Sequence, residues 1–367
     1  MKIALLGDLA FTGVYDLTTH DDAAVRLQPL AGYLSGFDCV LANLESPLTD
    51  LRTTRMPKSI HLKSPVQNVS LLKQLGVTAV SLANNHMFDF GKKGCQQTIA
   101  ALESAGIGWY GLGGERFLFT DPVSGSRISA SGFCCFTTHG LGYGPDAGSR
   151  PGKMDVLSRA NLENRLKADA AEGALSILSV HWGKEHTNYP NFEHLQLAKT
   201  LMAEAERPFV IHGHHPHVLQ GVLRQHDSLC AFSLGNAVFG DVTSLDGKRV
   251  LRQNAENRKS VLLELHLAEG RLVQTKLTGY EDQPEGMRFT ETVADEVESY
   301  SDFDRLPATP EAWEAMRRAQ YEQVILEKFG ARTFSWYLSK LTYDALLNKV
   351  LAAYRKYRYR RLSRRTA

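Results

Sequence analysis

Val210-Ile211-His212-Gly213-His214-His215-Pro216-His217 decides the reading of this chain. Four histidines fall within six positions, straight after an apolar run. Packing does not call for so many imidazoles in one place, and histidine is the commonest side-chain metal ligand. His215-Pro216-His217 puts two imidazoles on one side of an extended segment, able to hold one metal or bridge two. The apolar run predicts a buried strand, and open α/β sheets bind ligands at strand ends.

Four more apolar runs upstream end the same way. Ile3–Leu6 leads to Gly7-Asp8, and Asp38–Ala42 leads to Asn43-Leu44-Glu45. Val77–Leu82 leads to Ala83-Asn84-Asn85-His86, with Asp89 beyond, and Leu175–Val180 to His181-Trp182-Gly183-Lys184-Glu185. Between the first three runs lie helical patterns: residues 21–34, with Pro29 predicting a kink or late start, and a helix opened by Ser64-Pro65. Another spans 94–104, before Gly106. The β-α-β-α-β-α order predicts a largely parallel sheet with crossover helices. Further helices are expected at 157–171 and 193–205, and strands at 107–112, 128–137 and 229–234. Ser260–Leu267 and Arg271–Thr278 alternate around Glu269-Gly270 and read as a hairpin. The core domain is expected to span 1–285. Residues 286–308 look acidic and irregular, and 286–367 form a helical extension with stretches at 311–328 and 333–359.

Composition narrows the functional classes. Of 367 residues, 43% are hydrophobic and 22% charged, and the net charge is only +2, so no global field points to nucleic acid. Cys39, Cys95, Cys134, Cys135 and Cys230 show no metal-like spacing and fit a reducing compartment. The apolar start is too short for a signal peptide, and no run is long enough to span a membrane. A cytoplasmic place, or a peripheral one on the inner membrane face, is expected. Lys349–Arg365 carries eight Lys/Arg interleaved with tyrosines. It reads either as a solvated tail or as a contact for anionic lipid headgroups. Arg52, Arg55, Lys58, His61 and Lys63 make residues 49–63 a candidate anion-binding loop. Residues 139–156, with five glycines and two prolines, read as a long loop and candidate lid.

Together the strand ends offer Asp8, Glu45, Asn85 with His86, His181, and His215 with His217. Carboxylate, carboxamide and imidazole suit Mn, Fe, Zn or Mg rather than a thiolate metal. Six or seven ligands are too many for one tetrahedral ion but suit a pair of divalent ions that activate water for attack on phosphorus.

In order, Gly7-Asp8, Ala42-Asn43-Leu44-Glu45, Asn84-Asn85-His86 with Asp89, His181-Trp182-Gly183 with Glu185, Gly213–Gln220 and Ser233-Leu234-Gly235-Asn236 resemble the CapA family. These are bacterial capsule or poly-γ-glutamate synthesis proteins related to calcineurin-like metallophosphatases. The resemblance covers residues 2–245. It implies a four-layer αββα sandwich with the site at its mouth. It implies Asp8, Glu45, Asn85, His181, His215 and His217 as metal ligands, with Glu45 bridging. It makes His86 the general acid, oriented by Asp89. Asn43, Asn84, Glu185, His214 and Asn236 would support the ligands or touch substrate, and the choice between His214 and His215 stays open. Metallophosphatases open with Asp-x-His, where this chain has Asp8-Leu9-Ala10, which leaves one ion site weaker or empty. The implied activity is metal-dependent hydrolysis of a phosphoester or related bond in capsule or exopolymer synthesis, on an anionic substrate or polymer. The alternative is a non-catalytic accessory protein that binds an anionic polymer. A nuclease reading has no support outside the basic tail.

Overall fold

The computed structural model describes residues 1–329 except 55, 57, 59, 137–152 and 249. The candidate lid except for residues 153–156, the second C-terminal helical stretch and the basic tail lie outside these residues.

The strands are β1 (Lys2–Ala10), β2 (Cys39–Leu44), β3 (Ala79–Ser81), β4 (Gly108–Tyr110), β5 (Phe117–Thr120), β6 (Arg127–Cys134), β7 (Leu175–His181) and β8 (Phe209–His214). They continue with β9 (Val222–Gln225), β10 (Ser228–Ala231), β11 (Asn236–Phe239), β12 (Val242–Thr243), β13 (Val250–Leu251), β14 (Lys259–Ala268), β15 (Arg271–Gln283) and β16 (Gly286–Phe289). The helices are α1 (Ala23–Arg26), α2 (Gln28–Leu34), α3 (Val69–Gln74), α4 (Gly91–Ala105), α5 (Arg159–Ala171), α6 (Phe192–Glu204), α7 (Glu291–Ser299) and α8 (Pro310–Phe329).

Two mixed sheets form, in the orders β16-β15-β14-β1-β2-β3-β4 and β5-β6-β7-β8-β10-β9, with β11 pairing separately with β1. Strands β1 to β4 pair parallel in the first sheet and β6, β7, β8 and β10 in the second, while β14, β5 and β9 join them antiparallel. Side-chain alternation builds the layers. Ile3 and Leu5 of β1 meet Leu175 and Ile177 of β7 in a core between the sheets. Ala4 and Leu6 face the other way, into a core with α2, α3 and α4. Leu178 and Val180 turn outward to α5, α6 and α8. Strands buried on both faces read as continuous apolar runs, which is why these were legible. The result is the expected αββα order.

Several expectations change. The 21–34 helix divides into α1 and α2, with Pro29 in the first turn of α2. Ser64-Pro65 opens only a 3-10 turn, and α3 starts at Val69. Asp8 lies inside β1, not past its end, because β1 continues to Ala10 through a register shift after Asp8. Short β5, β9 and β11 are additional. Residues 286–308 are not irregular: β16 pairs with β15, and Val293 and Val297 of α7 enter the core between the sheets. The boundary expected at 285 therefore falls in the turn of a hairpin. Among the described residues no helix is long and apolar enough to cross a membrane.

One close approach governs the mouth. A Cβ on Gly7 would lie 2.0 Å from the Gly235 carbonyl oxygen, and the Asp8 amide donates to that oxygen at 3.0 Å. Gly235 itself has φ +75° and sends the chain into β11. Only glycine at position 7 lets β11 dock beside Asp8. Gly7→Ala is expected to destabilise the fold by about 2 kcal/mol or more, the scale of overpacking a rigid interior, measured by urea unfolding.

Candidate metal centre

Asp8 on β1, Glu45 after β2, Asn85 and His86 after β3, His181 at the end of β7, and His215 and His217 after β8 converge on the mouth. Parallel strands point their carboxyl ends the same way, so residues distant in sequence meet there.

Glu45 is the centre of the set. Its carboxylate is fully buried, and neither oxygen has a hydrogen-bond partner. Oε1 lies 3.4 Å from His217 Nε2, 3.8 Å from His181 Nε2 and 3.9 Å from His86 Nε2. Two donor triads share it: Asp8, Glu45 and His217 on one side, and Glu45, His181 and His215 on the other, each with its ligand atoms within 4.8 Å. Asn85 joins the second side, its Oδ1 lying 3.1 Å from His181 Nε2. The buried Nδ1 atoms of His181 and His215 also lack hydrogen-bond partners. Native interiors rarely leave such groups unpaired, so the donor set fits divalent metal binding.

The electrostatics agree. Burial raises the Glu45 carboxyl pKa against the pull of His217. Burial works against a charged Asp8 too, but His214, His217 and His181 overcome it and hold Asp8 low. Burial pushes His215 down to about 3 and His181 well below its usual value. Burial would lower His217 as well, yet Glu45 and Asp8 lift it to about 10. The pocket draws positive charge toward its two carboxylates.

Neighbouring groups fix the imidazoles. Asn236 Nδ2 donates to the Asn257 carbonyl at 3.1 Å, so its Oδ1 accepts from His217 Nδ1 at 2.9 Å and leaves Nε2 for the centre. Asp89 Oδ2 accepts from His86 Nδ1 at 2.7 Å, which aims His86 Nε2 at Glu45. Asn84 bonds the Asn43 carboxamide at 3.1 Å, and Asn43 donates to Asp8 at 2.8 Å. Asn84 also accepts from the His86 and Met87 amides. Asn43 and Asn84 are fully buried and hold Asp8 and the His86 turn. Glu185 joins a third triad with His215 and His217.

The histidine cluster divides. His212 is structural: its Nε2 donates to the Leu6 carbonyl at 2.7 Å, and its Nδ1 lies 3.2 Å from Ser179 Oγ. His214 Nδ1 lies 3.2 Å from Asp8 Oδ1, while His215 enters two of the donor triads. Lys58 of the candidate anion-binding loop lines the site wall. Its amine reaches Asp89 Oδ1 and the Asn85 carbonyl, both at 2.5 Å. His61 donates to the Met56 carbonyl and Lys63 to that of Leu51. The 49–63 loop thus commits these three side chains to its own fold and to the site wall.

Residues 2–241 match the family described as "Bacterial capsule synthesis protein PGA_cap". The chain is 33% identical to the capsule biosynthesis protein CapA of Bacillus anthracis, over 74% of this chain and 68% of the relative. It is 28% identical to the PGA biosynthesis protein CapA of Bacillus subtilis, over 77% and 73%. A probable polyglutamine synthesis accessory protein of Mycobacterium tuberculosis is 29% identical, over 40% of this chain and 41% of that one.

Asp89 is buried and holds His86, Lys58 and the Leu62 amide, the last at 2.8 Å. Removing one partner of such a pair leaves an uncompensated charge. Asp89→Ala is expected to cost about 3 kcal/mol in urea unfolding, and Lys58→Met in the same background to restore part of it.

Proposed function

Because the chain belongs to the bacterial capsule synthesis protein family, we propose that it is a metal-dependent hydrolase of a phosphoester or related bond in capsule or exopolymer synthesis. The observation that carries this reading is the buried Glu45 carboxylate, without a hydrogen-bond partner and shared between two donor triads. Asp8, Glu45 and His217 would hold one divalent ion, and Glu45, Asn85, His181 and His215 a second, with Mn, Fe, Zn or Mg suited to these donors. Ions bound there supply Lewis acidity to the bond under attack.

The protein's own residues do the rest. His86 presents Nε2 to the mouth while Asp89 takes its Nδ1 proton in a hydrogen bond. In this reading His86 is the catalytic acid and passes the Nε2 proton to the leaving oxygen. Asp89 balances the imidazolium charge that this role requires, and Lys58 keeps Asp89 ionised: burial opposes it, but His86 and Lys58 hold its carboxyl below the usual range. Asn236 orients His217, and Asn43 orients Asp8.

Metal analysis of protein purified without chelator tests the centre. Wild type is expected to carry about two ions per chain and Glu45→Gln none. With bis(p-nitrophenyl) phosphate as probe, His86→Ala is expected to lose about 10²–10⁴-fold in kcat with its metal content unchanged. No stoichiometric metal after reconstitution overturns the hydrolase reading. Bound metal without turnover on any phosphoester or amide probe moves it to an accessory, polymer-binding role, the kind of role named for the mycobacterial relative.

A further inference from the structure

Glu185 sits on the loop between β7 and α6, four residues past the end of β7. Its carboxylate nonetheless lies with His215 and His217 in one group whose ligand atoms are within 4.8 Å of one another. Its side chain is half exposed, and its Oε2 lies 3.9 Å from His186 Nε2. His215 is 4% exposed and its Nδ1 lacks a hydrogen-bond partner. A carboxylate and an unpartnered imidazole thus face each other across the mouth.

The placement is enforced from both sides. The His186 amide donates to the Pro216 carbonyl at 2.9 Å, tying the loop to the histidine turn. His186, His215 and His217 have φ of +62°, +95° and +57°, conformations that side chains rarely adopt. Such strain persists where surrounding contacts over-determine it, often at functional sites. On the far side α8 clamps the loop. Arg317 Nε donates to the Tyr189 carbonyl at 3.1 Å, Trp313 Nε1 donates to that of Pro190 at 2.8 Å, and Gln320 donates to Asn188 at 2.7 Å.

Around Asp8, Glu45 and His217, position 10 offers only an alanine, packed with Leu62, Phe239 and Val242. Among the described residues, this apolar cluster supplies no ligand.

We propose that Glu185 is a further metal ligand, added from the solvent side to the donors His215 and His217; this rests on the metal-centre reading. The exposed position makes it the member of the set that can swing away to admit substrate without unpacking the interior.

The test is isothermal titration of the metal-stripped full chain with manganese(II) chloride, with the bound ion followed by electron paramagnetic resonance. Wild type, Glu185→Gln, Glu185→Asp and Glu45→Gln are compared. At least one site is expected to weaken by about tenfold or more in Glu185→Gln, with a changed resonance spectrum. Glu185→Asp, which keeps the charge and retracts it by one methylene, is expected to lie between. Wild-type affinity and spectrum in both Glu185 variants, with binding lost in Glu45→Gln, overturn this proposal and leave the centre standing. Absence of binding in wild type overturns both.

Discussion

A carboxylate without a hydrogen-bond partner in a dry interior is the constraint on which this structure turns. Taking a charge out of water costs several kcal/mol unless other charges or donors compensate. Glu45 is buried where no backbone amide or hydroxyl reaches it, and imidazoles are the cationic groups around it. The fold meets that cost by bringing histidines from two sheets to one point. His217 takes on positive character because Glu45 and Asp8 flank it. A divalent cation answers the same demand with more charge and more donors, so the protein without metal is electrostatically prepared for it.

Around this point, precision comes from uncharged groups. Asn84, Asn43 and Asp8 form one hydrogen-bonded line beneath the site. Asn236 orients His217 from β11, and that strand reaches its place only because Gly7 and Gly235 bring two backbones into contact. Asp89 gathers His86, Lys58 and the 49–63 loop. Asp8 and His217 are each held by a carboxamide from another strand, Asn43 of β2 and Asn236 of β11, which limits their motion.

Much of this was legible in the residues. Buried parallel strands are apolar on both faces, so their ends could be located, and ligand-type residues at five such ends identified the centre. Four strand-level details were not legible. β5, β9 and β11 are four residues long and owe their pairing to distant partners rather than to local pattern. Asp8 lies within β1 because the bulge beside it and the pairing with β11 extend the strand. His212 has the same local signature as its neighbours, yet only its contact with Leu6 across the sheets marks it as structural. The acidic composition of 286–308 hid a strand and a helix whose apolar residues are few but fully used, Val293 and Val297 among them. In the basic loop, Lys58 and Lys63 reach internal acceptors while Arg52 meets solvent, a division that composition does not show.

The clamp of α8 on the β7–α6 loop has a consequence for the order in which the protein is made. Arg317 and Trp313 grip residues that precede them by more than a hundred positions. Translation adds roughly 5–20 residues per second. Every donor from Asp8 to His217 therefore leaves the ribosome several seconds before the helix that locks the loop. The nascent chain can gather its histidines early, but the wall of the site that carries Glu185 is set only when α8 arrives. Maturation of the centre is thereby coupled to completion of the αββα layers, and a chain interrupted between β16 and α8 would have the inner donors without the outer gate.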